Sequence, residues 1–244
     1  MKAWVFPIVL VAGACSHAPP KQVEPALKVA APPPAPAKHE EADDEIKVSG
    51  MLGTLSDEEM SGPFQRRWDD ITNCYSEAKA KLWYLGGKVE LKVRVAKTGD
   101  AKNVFVSSST FGNYDTERCL LTIARDLHFS KPHGGAEAEF TYPIEFHAKA
   151  AIQTWDEARV APMLKKPKSR KDVSDCRHLA ASHLPTALSM TLYVAPGGKI
   201  TSAGLAADAP LDDGFATCLV GKTKLWKLDD PLGKIAKCTI GVGD

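Results

Sequence analysis

The sequence predicts an α+β protein built from two tandem modules. Each runs helix, strand, strand, helix, strand, giving a three-stranded antiparallel sheet with two helices on one face, and a signal peptide and a disordered Pro/Ala-rich tether precede the pair. Three observations carry this expectation. An apolar run ends at Cys15 and gives way at once to a proline-rich stretch; four landmarks recur in order along the chain; and between the landmarks apolar residues alternate or recur at helical spacing.

The N-terminus comes first. Lys2 is followed by AWVFPIVLVAGA: one positive charge, a short apolar region and a small-residue end, the parts of a secretory signal. Twelve residues separate Lys2 from Cys15, against about 20 for a membrane-spanning helix, and Pro7 interrupts the run. Ala12 to Ala14 suits an ordinary A-x-A cut. Small residues directly before a cysteine also resemble a bacterial lipobox, here with Ala12 where Leu or Val is usual. The lipobox reading is preferred because it accounts for a cysteine placed directly after the cut. Cys15 then carries the lipid, and several acyl chains anchor stably where one would not. Ser16 rather than Asp after the cysteine favours the outer membrane, so the expected location is the cell envelope, lipid-anchored and facing the periplasm.

Residues 1–14 are thus expected to be a lipoprotein signal peptide and 15–49 a lipid-anchored disordered linker. Its segment after Cys15 is rich in Pro, Ala and charge and lacks aromatic residues, so it cannot bury enough surface to offset its ordering entropy. The rest of the chain suffices for one large or two small domains. Net charge is +1, which gives no basic field for nucleic acid. The basic cluster Lys165 to Lys171 contains Pro167 and no aromatic residue, and is read as a solvated connector.

An internal repeat divides the remainder. Asp70-Ile71-Thr72-Asn73-Cys74 returns as Asp172-Val173-Ser174-Asp175-Cys176, 102 residues on; Val95 to Ala101 returns as Val194 to Ile200, Cys119-Leu120 as Cys218-Leu219 and Pro132 as Pro231, each 99 residues on. Four landmarks in order at nearly constant offset indicate duplication. The expected modules are residues 50–150 and a degenerate second copy at 171–244, joined by a linker at 151–170.

Copy one carries the clearer element signals. Phe64, Trp68, Ile71, Tyr75, Ala78 and Leu82 share one helical face, and Gly86-Gly87 stops that helix. Val89, Leu91, Val93 and Val95 alternate with Glu90, Lys92 and Arg94 as a half-buried strand. Thr98-Gly99-Asp100 supplies turn chemistry, and Val104 and Val106 continue into a second strand. Asp115 can cap a helix whose apolar face is Cys119, Leu120, Ile123, Ala124 and Leu127. Phe140, Tyr142, Ile144 and Phe146 alternate as the third strand. In copy two the first helix is shorter and less regular, the last strand lies around Ile235 to Val242, and Trp226 and Leu228 take the core positions of Leu127 and Phe129.

In each copy one cysteine lies on the first helix and one on the second, so Cys74 is expected to bridge Cys119 and Cys176 to bridge Cys218. Helices packed on one sheet face can meet the Cα spacing a disulfide requires, and the export signal places the chain where such bridges persist. The alternative is two buried thiols per copy. Cys238 is left over, alternating with Ile240 and Val242 as a buried, inert thiol; without lipidation of Cys15 an even count would permit a third bridge.

Other candidate chemistry does not assemble. Gly221-Lys222-Thr223 lacks the first glycine of a P-loop, Ala216 standing in its place. His133-Gly134-Gly135 occurs without any G-x-S-x-G, and Cys176, His178 and His183 do not converge on one metal. No catalytic site, metal or cofactor is expected.

GTLSDEEM from Gly53, YDTERC ending at Cys119, LHFSKPHGG and TYPIEF resemble the AgmX/PglI-type C-terminal domain of myxobacterial gliding-motility and envelope proteins, a domain similar in fold to the C-terminal domains of TonB and TolA. The resemblance covers Gly53 to about Phe146; copy two keeps the cysteines and the turn but lacks Y-P-x-x-F. It implies periplasmic protein–protein contact rather than catalysis. The expected function is a non-catalytic interaction or scaffold protein that binds an unidentified envelope protein by strand addition. The alternative is a peptidoglycan-binding module that uses Lys165 to Lys171 and exposed aromatics such as Tyr84.

Overall fold

The computed structural model describes residues 47–48, 53–180 and 184–242 of the 244-residue chain. Cys15, the signal peptide and the tether up to residue 46 lie outside the described residues. The chain runs β1 (Lys47–Val48), α1 (Asp57–Arg66), α2 (Trp68–Lys81), β2 (Gly87–Val95), β3 (Ala101–Ser109), α3 (Tyr114–Arg125), β4 (Ala138–Phe146), β5 (Gln153–Thr154), α4 (Glu157–Leu164), α5 (Pro167–Arg177), β6 (Leu188–Ala195), β7 (Lys199–Ala207), α6 (Asp213–Thr223) and β8 (Ala236–Gly241).

This is an α+β fold with two sheets, ordered β1-β4-β2-β3 and β5-β8-β6-β7. Three long antiparallel strands form each, as expected, but a two-residue fourth strand is added outside β4 and outside β8. The alternation of β2 places Val89, Leu91, Val93 and Val95 in the core, opposite Ile144, Tyr142, Phe140 and Ala138 of β4.

Corresponding contacts recur in the two halves. Gly99 and Gly198 both take positive φ, +98° and +76°, and a Cβ at either would meet the carbonyl oxygen of Phe129 or Leu228. The paired backbone bonds are Phe129 N to Gly99 O at 2.8 Å and Leu228 N to Gly198 O at 2.9 Å. Leu127, Phe129 and Trp226 are buried, and Leu228 packs against the second core.

Three expectations are corrected. The single helix from Phe64 to Leu82 is two helices divided at Arg67; α1 starts earlier because Ser56 and Glu59 form a capping box. Asn113, not Asp115, caps α3, its side chain accepting from Thr116 N at 3.0 Å. The expected linker at 151–170 is folded: β5 pairs with β8, Trp155, Val160 and Met163 are buried in the second core, and α5 begins at Pro167. The second half therefore starts near Gln153 and repeats the α1–α2 arrangement as α4–α5. Its short apolar set, one tryptophan and a few aliphatics, is too sparse to show periodicity.

Candidate functional site

An unpaired strand edge offers a row of backbone donors and acceptors, so the edges of the two sheets are where another chain could add. β2 and β6 are central and have neighbours on both sides. The β8 edge is closed by its own half: Gln153 N and Trp155 N donate to Ile235 O and Lys237 O at 2.9 and 2.8 Å, and Gly241 N donates to Glu157 Oε1 at 2.9 Å.

β3 and β7 lie together where the halves meet, although Lys102, Asn103 and Ser108 of β3 stay exposed. Tyr193 on β6 donates from its hydroxyl to Gly86 O at 2.7 Å, and Tyr84 donates to Thr201 Oγ1 at 2.7 Å. Ser202 Oγ donates to Gly112 O at 2.7 Å and accepts from Asn113 Nδ2 at 2.9 Å; Thr191 Oγ1 donates to Ser109 O at 2.7 Å. Lys237 Nζ reaches Gly86 O and Thr110 O, both at 3.1 Å. Apolar side chains also cross, with Tyr193 and Ala206 joining the first core and Tyr114 the second.

One carboxyl sits inside this joint. Glu117 on α3 is 1% exposed; its Oε1 accepts from Ser109 Oγ at 2.7 Å and its Oε2 from Leu205 N of β7 at 2.9 Å. Gly204 beside it has no room for a side chain, since a Cβ would lie 2.2 Å from Glu117 Oε1. Burial pushes the carboxyl up to about 7, against the opposing pull of the Ser109 hydroxyl and of backbone groups at Leu205, Gly112 and Asn113.

The β4 edge differs. β1 pairs antiparallel with it at Thr141 and Phe140. From Tyr142 to Phe146, no element among the described residues pairs with β4 on the side away from β2. Pro143 removes one donor from this stretch, as suits an edge strand. Tyr142 is pinned from behind, its ring stacked on Phe64 at 3.9 Å. Neighbouring charges pair on the strand surface, Lys92 and Arg94 with Glu139 at 2.9 and 3.1 Å.

The cysteines are joined as Cys74–Cys119 and Cys176–Cys218, with Cα separations of 5.9 and 5.6 Å. Cys238 is a buried free thiol that burial pushes up to about 11. Two features expected at a cell-wall surface, Tyr84 and the cluster Lys165 to Lys171, are placed otherwise. Tyr84 is buried and bonded within the joint, and the exposed aromatic next to it is Trp83, at 63%. The cluster Lys165 to Lys171 is no connector: it spans the α4–α5 corner, where Lys168 pairs with Asp172 at 2.7 Å and Lys171 with Asp175 at 2.8 Å. His178 ends α5, and His183 lies outside the described residues. Comparison of the chain with protein-family models, curated proteins and solved structures gives no match.

Proposed function

We propose that this chain is a non-catalytic lipoprotein of the cell envelope, anchored through Cys15, that serves as a periplasmic interaction or scaffold module in a motility or energy-transducing complex. In this reading both halves are TonB-C-like modules, and an extended segment of an envelope protein adds as a strand to β4. The observation that carries it is β1: a segment of the chain already lies antiparallel on β4 at Thr141 and Phe140, and β4 continues beyond it to Phe146 without a partner strand among the described residues. The β8 edge is closed by β5 and Glu157, and β3 and β7 lie against each other in the joint. A cell-wall-binding reading is the weaker one, because Tyr84 is buried and the basic cluster is partly spent on ion pairs within α5.

Photo-crosslinking in living cells tests strand addition. Probes at Pro143 and Glu145 of β4, beyond the stretch that β1 pairs with, are expected to capture one envelope protein, at equally spaced positions of a single extended segment, while a probe at Lys92 on central β2 captures none. Adducts only with muropeptides, or the same scatter of proteins from all three probes, would sink the reading.

A further inference from the structure

The joint between the halves is held by neutral hydrogen bonds, by the half-buried Lys237 ammonium on two carbonyls, and by one sealed carboxyl. Glu117 has no cation partner among the described residues: its recorded bonds are to the Ser109 hydroxyl and to the backbone. The residues facing it from β3 and β7, Ser109, Gly204 and Leu205, are uncharged. The charged and titratable side chains around it are Tyr114, Arg118 and Arg125 of α3, Asp213 of α6 and Tyr193 of β6, none at ion-pair distance from it. Lys237, the other cation of the joint, is spent on the carbonyls of Gly86 and Thr110.

We propose that Glu117 is a protonation-controlled latch between the halves: as a neutral acid it holds β7 against α3, and on losing its proton it loosens the joint and uncovers the facing edges of β3 and β7. The neutral acid keeps both bonds, accepting from Leu205 N through its carbonyl oxygen and bonding Ser109 Oγ through the other oxygen. The anion is also bonded, by the Ser109 hydroxyl and by backbone groups at Leu205, Gly112 and Asn113, but it is buried without a counter-charge at ion-pair distance among the described residues, which is costly unless water reaches it. A cavity of ≈ 30 Å³ beside it, lined by Tyr114, Arg125, Leu205 and Asp213 among others, has room for a water and marks where solvent would enter. Opening there separates α3 and β3 from β7, because Leu205 N is the β7 backbone donor that Glu117 satisfies. The latch is independent of what binds β4.

Hydrogen exchange on the full chain with both disulfides intact tests the proposal. With intrinsic rates corrected, amides of residues 101–109 and 199–207 are expected to lose about tenfold or more in protection between pD near 5 and pD near 8, while β2 stays protected. Glu117→Gln, whose amide can serve both bonds, is expected to hold protection at both. Ser109→Ala removes a hydrogen bond that favours the anion and is expected to move the wild-type transition to higher pH, which keeps the test open if the glutamine variant does not fold. Equal wild-type protection at both values, a Gln variant that loses protection as the wild type does, or an unmoved transition in Ser109→Ala would each overturn it.

Discussion

Glu117 makes stability depend on pH in a direction opposite to that of an ordinary paired carboxylate. Its carboxyl lies near 7 in the folded chain and near the ordinary glutamate value of 4.5 when unfolded, so between these values the folded state binds the proton more tightly. The stability linked to this proton is fully present below about 4.5, is lost as pH rises toward 7, and changes no further above it; its size is about 3 kcal/mol. Asp172 runs the other way: held down first by Lys168 and also by Trp226, it loses its contribution as pH falls. The expected outcome is a melting temperature for Glu117→Gln that gains on the wild type as pH rises from about 4.5 to 7, read by calorimetry. In the sequence Glu117 sits within YDTERC and looks like any charge on a helix surface. Its burial comes from β7, 88 residues further along, and nothing within a helical turn signals that. Tyr84 was illegible for the same reason, its cover being Thr201 and Tyr193.

Elements whose partners are near in sequence were readable. The period-two runs of β2 and β4 and the apolar face of α3 lie where they do because each buries one face on a core made by its own half. The cysteine pairing was readable too, since two helices on one sheet face bring Cys74 to Cys119 and Cys176 to Cys218. β5 and α4 were not, because a two-residue strand and an eight-residue helix with Pro162 inside it carry too few apolar positions to show a period. Trp155 holds this segment: it is buried, its backbone N–H bonds Lys237 O at 2.8 Å, and the Arg159 guanidinium lies 3.9 Å over its ring. Trp155→Ala is expected to cost about 3–5 kcal/mol in chemical denaturation, as for a large core aromatic. A loss under 1 kcal/mol, about that of a surface site, would mean that residues 153–164 do behave as a linker.

At the scale of the molecule, the halves share side chains across the joint and are expected to unfold together. With the disulfides intact, tryptophan fluorescence and far-ultraviolet circular dichroism should give coincident denaturation curves with a single midpoint at mildly acidic pH. Two separated midpoints would show halves that are stable apart. That the chain builds two sheets of like strand order was foreshadowed by the landmarks recurring from Asp70 to Pro231, but the joint was not. Its contacts run from the turn around Gly86 and the loop from Thr110 to Asn113 onto the outer face of the second sheet, residues that alternation alone assigns to solvent.

The joint also differs from a dimer interface in how it answers dilution. Two copies on separate chains would associate with a dissociation constant and fall apart as they became scarce. Here the short run from Phe146 to Gln153 ties one half to the other, and a short tether sets an effective concentration on the order of millimolar whatever the number of molecules present. Opening at Glu117 is then a first-order event that reverses without a search, so the edges of β3 and β7 can be shown and withdrawn at the copy number of a single molecule.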